Sequence, residues 1–196
     1  MNFENFKKHL KKILMHKFYV GKICFIAGLY WRGLTHDLSK FSFIEFVESA
    51  NNYQGDFSPI DYVKKQQGYC NCWRHHIKNN SHHYEYWIEN SNNGIWIYPM
   101  PFCDALEMIC DRIGAAKAYQ GEDYTFKEQY MQWQKDKEHI KLMHPQTKEF
   151  AEKVFKVLYN ENDISQLKDI SMLKMLYHNS GDRKPILFYE VVEDEE

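Results

Sequence analysis

The run His36-Asp37-Leu38-Ser39-Lys40-Phe41 puts an imidazole nitrogen and a carboxylate oxygen on consecutive residues. Such a pair can grip one divalent cation from a single turn of backbone, or let the carboxylate bridge two cations. Lys40, three residues beyond the aspartate, can hold an anion such as a phosphate beside the cation. An adjacent His-Asp pair is common by chance, so its meaning rests on what else the chain supplies. The densest supply is His75-His76-Ile77-Lys78-Asn79-Asn80-Ser81-His82-His83-Tyr84-Glu85-Tyr86-Trp87. On one continuous helix, His76, Asn80 and His83 would share a face, with His75, Asn79 and His82 on the next. Two asparagines and a serine favour a break, with Asn80 or Ser81 capping a second short helix. A histidine-rich surface loop is the alternative, and the flanking Trp73, Tyr84, Tyr86 and Trp87 argue against full exposure.

Further along, Pro101 opens a helix to about Tyr119, in a first turn that suits proline. Phe102, Leu106, Ile109 and Ile113 form one apolar stripe, and Asp104, Met108, Asp111, Ala115 and Ala118 lie opposite. A helix apolar on both sides is expected to be buried all round. Asp111 would then be a buried carboxylate, which is costly unless it pairs with an arginine or binds a metal. Gly114, Ala115 and Ala118 would let another backbone approach closely. Asp104 reads as a first-turn acid favoured by the helix dipole. His16 begins a core-facing stripe with Val20, Ile23, Ala27 and Trp31; taken alone, it is a histidine bonded to a backbone carbonyl.

The elements that must position these residues read as helices. One runs from Asn2 to about His16, with Phe6, Leu10, Ile13 and Leu14 at helical spacing and lysines opposite. A second covers about Lys17 to Gly33, with Gly33 as its stop. Ser42 and Glu45 form a capping box for a helix that ends in Asn51-Asn52. After a loop with Gly55 and Pro59, an aspartate-started helix begins near Ile60. Ser91 to Tyr98 is a loop or edge segment. Helices over Glu122 to about Lys141, Thr147 to about Tyr159 and Ile164 to Tyr177 follow. The tail from Pro185 to Val192 is expected to form a short strand, ahead of frayed acidic residues. The fold class is therefore all-α with a short C-terminal strand. Without repeats or linkers, the chain reads as one domain over 1–196, with a metal-site core at about 15–119 and a helical extension at about 122–180.

Composition bounds the setting. With 44% hydrophobic residues among 196, the chain can bury a sizeable core, and sparse glycine and proline favour helices. A net charge of −2 argues against gross attraction to nucleic acid or membrane. No signal peptide is visible, and the apolar run Ile23 to Trp31 is too short to span a bilayer. Cys70 and Cys72 have no second pair with which to build a four-cysteine zinc site, so free thiols in a reducing cytoplasm are expected. There is no glycine-rich phosphate loop and no serine nucleophile elbow.

The order His16, His36-Asp37, His75-His76, His82-His83, Asp111 on a helical chain resembles the HD-domain superfamily of metal-dependent phosphohydrolases. HDLSK looks like the His-Asp-x-Gly-Lys of its cyclic-dinucleotide phosphodiesterase branch, with Ser39 in place of glycine. HDLSKF, HHIKNNSHHYEYW and EMICDRIGAAKAY together resemble a small bacterial and phage family placed beside these proteins, over about Met15 to Tyr119. The resemblance implies an HD-like helical bundle whose four-ligand site is His16, His36, Asp37 and Asp111. It implies that histidines from the 75–76 and 82–83 pairs hold a second metal, with Asp37 bridging. Lys40 matches the phosphate-contacting lysine, so Asp37 and Lys40 become the catalytic candidates. Arg74, Asn80, Glu85 and Lys117 join Lys40 as substrate-binding candidates. No Gly-Tyr-Pro signature follows the histidines, which speaks against cyclic dinucleotides. The implied activity is phosphohydrolysis of a nucleotide or other small phosphate ester with one or two divalent ions (Fe, Mn, Zn, Co or Ni), in a chain that could pair as a homodimer. A di-iron oxygenase and a non-catalytic metal-binding or interaction module on the same scaffold are the alternatives.

Overall fold

The computed structural model describes residues 3–55 and 58–188, and its first helix sets the frame. α1 runs unbroken over Phe3–Ile26, where two helices meeting near Lys17 were expected. Nothing at His16-Lys17-Phe18 can end a helix: there is no glycine, proline or capping side chain. The stop comes at Gly28, in the left-handed region at φ 73°. There the Leu29 N–H donates to Cys24 O and the Gly28 N–H to Phe25 O, the paired bonds of a Schellman cap. Because α1 ends at Ile26, Trp31 leaves the expected core stripe and stands 74% exposed. α2 spans Tyr30–Thr35, two residues past Gly33. Gly33 is a contact point rather than a stop, since a Cβ there would lie 2.8 Å from Cys24 Cβ.

α3 (Phe43–Asn51), α4 (Pro59–Gln67) and α5 (Asn71–Asn79) follow. The Glu45 N–H donates to Ser42 Oγ, but the Glu45 carboxylate turns away to α5, so only half of the capping box forms. α4 starts at Pro59 behind Ser58, with Asp61 inside its first turn. α5 ends at Asn80 as expected, and a 3-10 turn over Tyr84–Trp87 leads into a hairpin. The hairpin replaces the expected loop: β1 (Ile88–Ser91) pairs antiparallel with β2 (Gly94–Ile97) around Asn92-Asn93. Its first strand, Ile-Glu-Asn-Ser, has little β character of its own, and pairing rather than propensity makes it a strand.

α6 covers Phe102–Gln120 with Pro101 as its N-terminal flank, and Leu106, Ile109 and Ile113 are fully buried. Beyond it lie α7 (Phe126–His139), α8 (Pro145–Glu161) and α9 (Ile170–His178). The expected helix from Ile164 is interrupted, because Asp169 caps α9 and leaves Ile164–Lys168 as a separate 3-10 turn. β3 (Ile186–Phe188) pairs with β2, which gives the C-terminal strand; the rest of that expected strand and the acidic tail lie outside the described residues. Val20 and Ile23 of α1, Ile109 of α6, Trp133 of α7, Phe150 of α8 and Leu173 of α9 belong to one buried cluster. The fold is all-α with a small three-stranded sheet. Among the described residues no helix is long and apolar enough to cross a membrane.

α1 and α6 pack so tightly at Gly114 that a side chain has no room there. A Cβ on Gly114 would fall 2.4 Å from Val20 Cγ2, 2.8 Å from Val20 N and 3.0 Å from Val20 Cα. That close approach sets His16 on α1 beside Asp111 on α6. Alanine at 114 would gain about 1 kcal/mol of helix propensity. Overpacking against backbone costs about 1–3 kcal/mol, and here it dominates. Gly114→Ala is expected to lower stability by about 1–2 kcal/mol net, measured by urea unfolding.

Candidate metal centre

Between α2 and the 3-10 turn Leu38–Phe41, the chain bends through Asp37 at φ 55°, ψ 28°. A non-glycine residue in the left-handed region is uncommon and persists where its surroundings hold it. Here the Lys40 N–H donates to Asp37 O, and Lys17 Nζ donates to the carbonyls of Leu34 (2.8 Å) and His36 (2.7 Å). The bend sends the Asp37 carboxylate inward, where its side chain is 2% exposed.

Two sets of donors meet at that carboxylate. On one side, His16 Nε2 is 3.1 Å from Asp37 Oδ2 and 3.1 Å from Asp111 Oδ1. His36 Nε2 is 3.3 Å from His16 Nε2, 3.4 Å from Asp37 Oδ2 and 3.3 Å from Asp111 Oδ1. On the other side, Asp37 Oδ1 is 3.3 Å from His76 Nε2 and 3.4 Å from His82 Nε2, and His76 Nε2 is 2.9 Å from His83 Nε2. Ligands about 2.1 Å from a shared ion stand about 3.0–3.4 Å apart, the edges of an octahedron or a tetrahedron. The two sets match those edges. Asp37 Oδ1, His82 Nε2 and Asp111 Oδ1 are buried without a hydrogen-bond partner, a desolvation cost that a bound cation would offset. The residues fit one or two cations, and Asp37 belongs to both sets.

Two glutamates aim the imidazoles. Glu107 Oε1 is 2.9 Å from His36 Nδ1 and 3.4 Å from His82 Nδ1, and Glu45 Oε2 is 2.8 Å from His76 Nδ1. A carboxylate on Nδ1 holds the proton there and leaves the Nε2 lone pair for a metal. Arg32 Nη1 donates to both Asp104 Oδ1 and Glu107 Oε2 at 2.8 Å, so Asp104 is a buried ion-pair partner rather than a simple first-turn acid. Sequence reasoning passed over Glu107, although Asp104, Glu107 and Asp111 recur at three- and four-residue steps on α6. Glu45, whose spacing from Ser42 suggests a capping box, gives its carboxylate to the imidazoles instead.

The remaining candidates separate cleanly. His75 is not in either donor set; it sits on Glu45 Oε1 at 2.6 Å. Lys40 Nζ lies 2.6 Å from Asp37 Oδ2 with its side chain a quarter exposed, on the wall of a cavity of ≈ 240 Å³ that reaches His16, His76, His83 and Asp111. Asn80 is a positioning residue, since its Nδ2 donates to Ser39 Oγ (2.7 Å) and His76 O (2.8 Å). Arg74 is exposed on the far face of α5, because two helical residues turn it about 200° from the buried His76. Lys117 stands over the Tyr124 ring, also away from this cavity. Glu85 is not on this cavity either. It lines an adjoining cleft with His82, His83 and Arg112, and burial raises its pKa.

Charge in the site is tightly coupled. Burial would lower the His36 pKa, but Asp37, Asp111 and Glu107 outweigh it and lift it to about 10. Burial likewise opposes His82, yet Asp37 and Glu107 raise it to about 9. Glu107 is pushed up by burial but pulled down further by His36, His82 and Arg32, to about 2. Burial, and then His82 and His76, hold His83 well below its usual value, so it stays neutral.

In the metal-free protein, the stability contributed by His36 and His82 is full below pH 6.5 and is lost as pH rises through about 9 to 10. The Glu107 contribution is present above pH 4.5 and is lost as pH falls toward about 2. After treatment with a chelator, the melting temperature is therefore expected to fall between pH 6.5 and pH 10. Manganese added at pH 7 is expected to displace protons from His36 and His82, read as acid released into a weakly buffered solution. A flat melting profile and no proton release would contradict the geometry.

No curated protein and no solved structure matches the chain. A family of unknown function (DUF5662) matches residues 5–157, a span that contains Asp37, both donor sets, Glu45, Glu107 and Lys40. With well over half of its length matched, the chain belongs to the DUF5662 family.

Proposed function

We propose that this protein is a metal-dependent phosphohydrolase of HD-domain type, acting on a nucleotide or another small phosphate ester. The observation that carries the reading is one carboxylate, Asp37, shared by two donor sets and touched by Lys40 Nζ at 2.6 Å at the wall of a cavity. The cofactor in this proposal is two divalent transition-metal ions (Fe, Mn, Zn, Co or Ni), which five imidazoles and two carboxylates suit. Their chemistry when bound is a lowered pKa for water and neutralised charge at phosphoryl oxygens.

The side chains have defined tasks in this reading. Asp37 supplies one oxygen to each donor set, so it fixes their spacing. Lys40 is the cation that meets the phosphoryl oxygens, and its pKa, lowered by burial but raised more by Asp37 and Asp111, keeps it charged. Glu45 and Glu107 hold Nδ1 protons and keep the imidazoles from turning. The substrate is the small phosphorylated partner, and the proposed setting is the reducing cytoplasm, which five free cysteines support.

A di-iron oxygenase would use the same imidazole-rich donors, but Lys40 on the shared carboxylate favours an anionic substrate. Metal analysis tests the core of the proposal. Wild-type protein is expected to carry close to two equivalents, Asp37→Ala none, and His16→Ala about one. Lys40→Met should keep the metal while turnover of a nucleotide panel, followed by phosphate release, falls on the order of 10²-fold. Full metal content in Asp37→Ala would sink the reading. Oxygen-dependent turnover with iron would move it to the oxygenase class.

A further inference from the structure

His9 lies on the same stripe of α1 as Lys12, Ile13 and His16, at steps of three, four and seven residues. Its residue is 6% exposed, and both ring nitrogens are buried with no hydrogen-bond partner among the described residues. Phe46 and Tyr53 pack against the ring at 5.3 and 5.5 Å between centroids, so the apolar surroundings supply no substitute. An imidazole stripped of both partners is costly, and such a group calls for an explanation. The cavity provides one, because His9 lines the same space as the metal donors.

Seven residues of helix separate His9 from His16, about 10 Å along the α1 axis. That span, from the donor His16 to His9, suits an ester whose phosphoryl group lies at the metal donors and whose organic group reaches His9. The cavity walls carry Ile13, Ile60, Tyr53, Trp73 and Tyr119, surfaces that suit a flat ring. A volume of ≈ 240 Å³ falls below the roughly 300–1,000 Å³ usual for ligand pockets, which favours a compact monophosphate over a dinucleotide. Burial, and then the nearby charge of Lys40, hold the His9 pKa at about 4, so the ring offers one donor and one acceptor at neutral pH.

We propose that His9 is a specificity residue that hydrogen-bonds the heterocycle of a nucleoside monophosphate in the cavity it shares with the metal donors. The orientation of the ester rests on the phosphohydrolase reading; the hydrogen bond to His9 does not require turnover. A site with a buried donor and acceptor rejects a ligand that lacks their counterparts, so the discrimination comes from His9 rather than from cavity shape.

The test is titration calorimetry on manganese-loaded full-length protein with four nucleoside 5′-monophosphates (adenosine, guanosine, cytidine, uridine), phenyl phosphate and inorganic phosphate. At least one nucleotide is expected to bind wild type tenfold or more tighter than phenyl phosphate. In His9→Phe that nucleotide should lose about tenfold, while phenyl phosphate and inorganic phosphate bind as before. His9→Gln, which keeps a donor and an acceptor, should recover part of the loss. His9→Phe should also melt no lower than wild type, since it removes two unpaired buried nitrogens; if it fails to fold, His9→Leu takes its place. Unchanged nucleotide affinity in the apolar variant, or no nucleotide bound tighter than phenyl phosphate, would overturn the proposal. Phosphate release from the same panel is scored separately. His9-dependent binding without release leaves the inference standing and removes the phosphohydrolase reading, and release indifferent to His9 does the reverse.

Discussion

One buried carboxylate is the constraint around which the centre is built. Asp37 sits in a left-handed bend with its side chain closed off from solvent, and each oxygen faces a different pair or trio of imidazoles. Neither the bend nor the burial is favourable by itself. Both are sustained by what surrounds them: Lys17 on the neighbouring carbonyls, Lys40 on the carboxylate, and helices α1, α5 and α6 converging with donors already in place. Remove the convergence and the bend has no reason to persist.

The convergence depends on backbone contact as much as on side chains. Gly114 lets α6 meet α1 at Val20, one turn from both His16 and Asp111, so the spacing of two donors is set by a missing Cβ. Gly33 does the same for α2 against Cys24, which sets the direction from which the chain enters His36. Behind the donors, Arg32 ties Asp104 and Glu107 of α6 to α2. The imidazoles are thus oriented by carboxylates that are themselves held by a guanidinium, and the rigidity of the centre is inherited outward from the core.

Most of the helices were legible in the sequence, because 3.6-residue periodicity survives in segments as long as α1, α6 and α8. Where the reading failed, a local signal had been given more weight than its context. Gly33 looked like a helix stop but serves packing, and the true stop at Gly28 was hidden inside an apolar run. The β1–β2 hairpin was missed because Ile88–Ser91 gains its strand character from pairing with β2. His16, His36, Asp37, His76, His82, His83 and Asp111, which the family resemblance implies as ligands, all fall in the two donor sets. His75 was set aside only by geometry, since consecutive helical residues point about 100° apart and sequence does not tell which one faces inward. Glu45 and Glu107 went unread for a related reason: acids on helices are common, and what marks these two is the imidazole each touches across the fold. Arg74 and Lys117 failed as phosphate contacts because charge near a motif in sequence need not be near it in space.

The acidic residues of the centre also fix an exchange rule. Asp37, Glu45, Asp104, Glu107 and Asp111 surround the histidines, and Lys40 and Arg32 are the permanent cations that touch them. Such an interior is short of positive charge in its resting composition, and it can draw the shortfall from either of two currencies: protons on imidazoles or divalent ions between them. At His36 and His82 a proton and a metal would compete for the same Nε2, so loading with metal and loading with protons would be alternative ways of supplying the same charge. A centre that holds metal in this way would act as an ion exchanger embedded in a helical core, with the acidity of the medium setting which occupant it keeps.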